Sequence, residues 1–186
     1  MKKILIIDIE TTDFFDRGGK IVEIGIVELD LNSGNTEILF DNVMHERPIT
    51  LAEVQNAWIV KNSDLTVEAI RRSEQLEFYR AEIQQILNGC PAGATAYNNE
   101  FDFGFMEDRG FVFPKKLPCP MKLSTNICKL PKRRGSGYKW PNVQECWNHF
   151  FGETTGYVEK HRGADDAAHE SKIVYELYKM GVFKID

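Results

Sequence analysis

The sequence predicts an α/β protein in which a mixed sheet is flanked by helices. Three observations carry this expectation. Three strand-like segments open the chain with short connections between them, which suggests an antiparallel meander. Helical and strand-like segments then alternate over the remainder, in the order α-β-α-β-α. The chain has 186 residues, long enough for one well-buried core and short for two, so 1–186 is expected to form a single domain.

The elements follow in order. Lys3–Asp8 is a continuous apolar run ending in a carboxylate, Ile21–Leu29 is rich in Ile and Val, and Thr36–Val43 alternates by two. Leu31-Asn32-Ser33-Gly34-Asn35 supplies the turn between the second and third of these. No element is assigned over His45–Ser63. Leu65, Ala69, Leu76, Ile83 and Leu87 recur at helical spacing and predict one helix over Leu65–Leu87, terminated by Gly89, Pro91 and Gly93. Ala94–Tyr97 reads as a short strand, Asn98–Arg109 as a helix closed by Gly110, and Pro118–Leu123 as another strand. Asn142–Phe151 is a helix stopped by Gly152. Ala164–Lys179 is the clearest helix, with Ala164, Ala167, Ala168, Val174, Leu177 and Tyr178 on one face.

Apolar residues make up 42% and charged residues 27%, the proportions of an ordinary soluble domain. Lysine and arginine total 23 against 28 aspartates and glutamates, a net charge of −5. Bulk charge thus excludes a strongly basic nucleic-acid binder. An acidic protein still acts on nucleic acid when its carboxylates hold metal ions that face the phosphates. The longest apolar runs, Ile4–Ile7 and Ala57–Val60, are far too short to span a membrane. Asp8 and Glu10 end the first run too early for a signal peptide. The four cysteines form no C-x-x-C pair, which predicts free thiols and a cytoplasmic protein.

The strongest local feature is Asp8-Ile9-Glu10-Thr11-Thr12. Residues i and i+2 of a strand point to one side, so Asp8 and Glu10 place two carboxylates together at a strand end, an arrangement suited to a hard divalent cation. A bare D-x-E arises by chance about once in every couple of chains of this length, and D-x-E-T-T only about a few times per thousand. Asn98-Asn99-Glu100-Phe101-Asp102 puts Asp102 in the first turn of a helix, where Asn98 could also serve simply as the cap. His161-Arg162-Gly163-Ala164-Asp165-Asp166 adds an acid at the start of the last helix and a histidine before it. Histidine titrates near neutral pH and can take a proton from water. Asp165 is either a cap or a solvated acid.

The order D-x-E, N-x3-D, H-x4-D resembles the DEDDh 3′–5′ exonucleases, the ribonuclease-H-like group that includes the DNA polymerase III epsilon subunit, ribonuclease T and the TREX enzymes. The resemblance rests on Asp8, Glu10, Asp102, His161 and Asp166 and runs from Ile4 to about Lys179. It implies two Mg²⁺ or Mn²⁺ ions, with Asp8 on both, Glu10 and Asp166 in direct or near-direct contact, Asp102 acting through water, and His161 as general base. It further implies hydrolysis from a 3′ end to nucleoside 5′-monophosphates, with single-stranded nucleic acid as substrate, DNA placed ahead of RNA, and a polymerase or a replication or repair complex as partner. Thr11, Thr12 and Asn98 are then expected to touch the substrate. The chain departs from the family at Asp13, where Gly is usual. Phe14 follows and either offers a flat surface to a terminal base or packs as an ordinary core aromatic. The segment Lys129–Trp140 holds five cations and two aromatics, and its Lys132, Arg133 and Arg134 could track a phosphate backbone or simply be solvated.

Three alternatives are open. One is an RNA-directed exoribonuclease of the same fold. A Mg²⁺-dependent phosphatase of the haloacid dehalogenase type needs D-x-D, whereas position 10 is Glu. A silent nucleic-acid-binding module is expected to have lost at least one acid, whereas all five residues are present.

Overall fold

The structure is a computed structural model and describes residues 2–185. The opening meander is as expected. β1 (Lys3–Thr11) pairs antiparallel with β2 (Ile21–Asp30), and β2 pairs antiparallel with β3 (Thr36–His45). Three short helices follow: α1 (Leu51–Asn56), α2 (Trp58–Asn62) and α3 (Val67–Arg72). Then come β4 (Glu74–Gln75), α4 (Leu76–Gly89), β5 (Ala94–Thr95) and α5 (Asn99–Asp108). The chain closes with α6 (Pro120–Cys128), α7 (Val143–Phe151) and α8 (Gly163–Lys179). The sheet order is β4-β3-β2-β1-β5, with β5 parallel to β1 and β4 parallel to β3.

The unbroken apolar run of β1 is explained by burial on both faces. Leu5, Ile7 and Ile9 enter a core shared with Ile83 and Leu87 of α4 and with Phe103, Phe105 and Met106 of α5. Ile4 and Ile6 enter the opposite core, with Val143 and Trp147 of α7 and Ile173, Val174 and Leu177 of α8. By the period of two, Asp8 and Glu10 continue the Ile4–Ile6 face, toward α8. A third core, built from Val22, Val54, Ile59, Leu65 and Ile70, seats α1–α3 beside the sheet.

Two sequence expectations are corrected, and one unassigned stretch is filled. The single helix over Leu65–Leu87 is broken: Thr66 caps α3, Ser73 ends it in extended conformation, and the chain pairs briefly as β4 before α4 begins. The apolar spacing straddled two helices of one face each. Pro118–Leu123 is not a strand. Pro120 sits at the first turn of α6, where its fixed φ suits a helix and its missing N–H costs nothing. The unassigned His45–Ser63 stretch holds α1 and α2, and α1 opens with a capping box between Thr50 and Glu53.

Candidate functional site

The site forms where α8 begins against the C-terminal part of β1 and the N-terminal half of β2, in the middle of the sheet. A Cβ on Gly25 of β2 would lie 2.1 Å from the backbone of Gly163, and one on Gly163 would lie 2.6 Å from the nitrogen of Gly25. Only two glycines let strand and helix approach this closely. Arg162 fixes the approach. Its guanidinium grips both carboxylate oxygens of the buried Glu23 at 2.9–3.0 Å and reaches Asp64 at 2.6 Å. The backbone N–H groups of Arg162 and Lys160 donate to the two oxygens of Asp166 at 2.9 and 3.3 Å. Asp166 is thereby aimed back toward β1. Asp102, buried in the first turn of α5, accepts the N–H of Ile9 at 3.2 Å, which ties α5 to the strand residue between Asp8 and Glu10.

These ties bring Glu10, His161 and Asp166 together, with Asp8 and Asp102 among the neighbouring acids. Candidate ligand atoms of Glu10, His161 and Asp166 lie within 4.8 Å of one another. Burial, then the neighbouring acids Glu170, Glu10, Asp102 and Asp166, hold the Asp8 carboxyl well above the usual carboxylate range. Burial followed by Asp166 and Glu23 does the same for Glu10. Burial pushes Asp102 up to about 7, against the Ile9 N–H. Asp166 is raised by burial although two N–H groups oppose it. One oxygen of Asp8, Oδ2, is buried and has no hydrogen-bond partner among the described residues. A buried cluster of hard oxygen donors with so little neutralising charge is what a divalent cation satisfies, so these residues fit one.

The predicted substrate residues divide. Thr11, Thr12 and Phe14 line a cavity of about 580 Å³ together with Glu10, Trp58 and Phe101. Phe14 is 59% exposed, so it is no core aromatic. The Thr12 hydroxyl accepts the Lys20 N–H at 3.0 Å, and that of Thr11 donates to the Asp13 carbonyl at 3.0 Å, so both hydroxyls shape the loop. Asn98 precedes α5 without capping it through its side chain, and it does not line that cavity. Lys132, Arg133 and Arg134 lie apart from the cavity on an exposed turn closed by a bridge between Pro131 and Tyr138, and they enter no ion pair among the described residues. Asp165 is neither cap nor free acid; it pairs with Lys160 at 3.0 Å and with His169 at 3.4 Å.

Three residues of the site escaped the sequence reading. Glu170 is buried at 2% exposure, and its carboxyl is held well above the usual range by burial and then by Asp102 and Asp166. Its spacing of four from Asp166 on one helix was the available signal. Glu159 is raised to about 7, by burial and then by Asp166. Trp58 places its ring centre 4.7 Å from that of His161 at an interplanar angle of 80°, and no local pattern announces a contact made across so many residues.

No protein-family model matches the chain, and no curated protein matches it. Solved structures do. Cell-death related nuclease 4 aligns with a TM-score of 0.69 at 15% identity, over 97% of this chain and 65% of that one. The nuclease domain of 3′hExo, a DEDDh family member bound to rAMP, aligns at 0.55 and 15% identity over 100% of this chain and 96% of its own. E. coli exonuclease I in complex with a dA16 oligonucleotide aligns at 0.64 and 12% identity over 96% of this chain and 41% of its own. The chain therefore spans about two-fifths of exonuclease I and somewhat under two-thirds of cell-death related nuclease 4. At these identities the likeness is one of fold, and the fold is the ribonuclease-H-like α/β fold of the DEDDh 3′-exonucleases.

Proposed function

We propose that the chain is a metal-dependent 3′–5′ exonuclease that removes nucleoside 5′-monophosphates from single-stranded nucleic acid, DNA ahead of RNA. The observation that carries this reading is the cluster of Glu10, His161 and Asp166, with the acids Asp8 and Asp102 beside it, next to a cavity walled by Phe14, Trp58 and Phe101. The fold it shares with 3′-exonucleases supports it.

Asp8, Glu10 and Asp166 would hold two divalent ions, Mg²⁺ or Mn²⁺, with Asp102 supporting them through water. When bound, such ions activate water and stabilise the leaving oxygen of a phosphodiester. The chain's own residues do the rest. Phe14 and Phe101 offer flat surfaces to the terminal base. The Glu23–Arg162–Asp64 bridge holds the segment carrying His161 against the sheet. His161, within 4.8 Å of Glu10 and Asp166, accepts the proton that the attacking water loses.

The test is a ladder assay. DNA and RNA oligonucleotides labelled at the 5′ end are incubated with Mg²⁺ or Mn²⁺, with EDTA and Asp8→Ala as blanks. Stepwise shortening from the 3′ end that both blanks abolish supports the reading, and the better of the two substrates assigns the sugar. Internal cuts, or turnover of a small phosphomonoester with intact oligonucleotides, would overturn it.

A further inference from the structure

Trp58 stands where the cavity and His161 meet. Its indole lies edge-to-face against the imidazole, with ring centres 4.7 Å apart. The same side chain is 56% exposed and forms part of the wall shared with Glu10, Phe14 and Phe101. It is exposed, yet it is carried on a fixed base: the next residue, Ile59, is buried in the core that seats α1–α3.

His161 needs such support. Its φ of 56° lies in the left-handed region, which a non-glycine residue occupies only when its surroundings hold it there. The ties of Lys160 and Arg162 to Asp166, and of Arg162 to Glu23 and Asp64, fix the backbone on both sides of His161, but they leave the ring free to turn about its own side-chain bonds. On the ring itself the Trp58 indole packs edge-on, and the Glu159 carboxylate lies at 4.0 Å.

We propose that Trp58 is a positioning residue that couples the two: a 3′-terminal base seated in the cavity closes on the open part of the indole, and the indole then holds His161 toward the reacting phosphate. This rests on the exonuclease reading above. Phe14 and Phe101 line the same cavity but make no ring contact with His161 among the described residues, whereas Trp58 is placed to make binding and turnover interdependent. An aromatic pair of this geometry and a base stacked on indole each contribute enough to change a rate or an affinity by about tenfold.

The experiment compares wild type, Trp58→Ala, Trp58→Phe, His161→Ala and the Trp58→Ala/His161→Ala double variant on one labelled oligonucleotide, under single-turnover and steady-state conditions. Trp58→Ala is expected to lower the single-turnover rate about tenfold and to raise KM. Trp58→Phe keeps a ring against the imidazole and should recover most of the rate. If Trp58 acts through His161, the two single losses do not multiply in the double variant. Binding of dAMP, which needs no turnover, should quench tryptophan fluorescence in wild type and much less in Trp58→Phe. A raised KM with an unchanged rate in Trp58→Ala, or losses that multiply, would reduce Trp58 to a passive wall and overturn the proposal. Failure of wild type on every oligonucleotide would instead remove the exonuclease reading beneath it.

Discussion

Asp166 and Asp165 are neighbours with opposite surroundings. Asp166 is 1% exposed and held by two backbone N–H groups, whereas Asp165 is tied to Lys160 and His169 at the rim. Asp166→Ala is therefore expected to lower nuclease activity by orders of magnitude and Asp165→Ala by far less; full activity in Asp166→Ala sinks the assignment. The same contrast separates the two histidines. His169 lies within hydrogen-bonding distance of the Asp165 carbonyl at 2.7 Å, and its ring lies tilted over Tyr157 at 4.4 Å and edge-on to Trp147 at 5.2 Å. So confined, it is poorly placed to move protons. A general base contributes typically about 10²–10⁴-fold. His161→Ala should fall within that range, keep its metal affinity, and recover partly at higher pH where hydroxide is more available. His169→Ala should cost little activity. A profile in which His169→Ala is the crippled variant reverses the roles.

At the scale of elements, the seam between β2 and α8 places Asp166, and the seam is made by Gly25 and Gly163. Overpacking ordinarily costs about 1–3 kcal/mol, and here the obstacle is backbone, which relaxes least. Gly25→Ala should lower Tm by roughly 5 °C or more and weaken Mn²⁺ binding with it, because the start of α8 must move off the sheet. Unchanged Mn²⁺ affinity would show that the seam does not set the position of Asp166. The exposed turn at 131–138 makes the opposite case. Neutralising Lys132, Arg133 and Arg134 together should leave stability unchanged, weaken binding at low salt and flatten its salt dependence. Equal affinity at low salt would leave them as solvated charges. These elements also show what the sequence made legible. β1–β3, α5, α7 and α8 were readable because each shows one face or one run over several residues. The break at Ser73 was not, because α3 and β4 are too short to set a period of their own. The acids were readable as motifs because strand and helix spacing fixes their side. Gly25 against Gly163, Glu23 with Arg162, and Trp58 with His161 were not, because each contact joins residues about 100 or more apart, and only the packed fold places them together.

At the scale of the whole molecule, the protein concentrates its buried charge on one side of its own titration. Asp8, Glu10, Glu23, Asp102, Glu159, Asp166 and Glu170 are all raised, with burial the leading cause in each. Unfolded carboxylates titrate near ~4, whereas Asp102 and Glu159 in the fold reach about 7. Between those values the native protein holds more protons than the unfolded chain, so without metal its stability falls as pH rises. Below that window the sign reverses. Glu53, lowered to about 2 chiefly by its bonds with Thr50 and then by Lys20, contributes stability that is lost as acid protonates it. In EDTA the protein should therefore be most stable near pH 4–5. Each retained pKa unit is worth about 1.4 kcal/mol, and each kcal/mol moves Tm by about 2–4 °C in a chain of this size. A fall of roughly 5 °C or more between pH 5 and pH 8 is expected. A divalent cation competes with those protons for the same oxygens. Adding Mn²⁺ should raise Tm more at pH 8, where the carboxylates are ionised and repel one another, than at pH 5, where protons already neutralise them. Thermal melts at both pH values, with EDTA and with Mn²⁺, read all four states. A Tm in EDTA that rises from pH 5 to pH 8, or an Mn²⁺ gain that is equal at the two, would mean that the acids find their neutralising charge within the protein and that the cluster is not built around a metal.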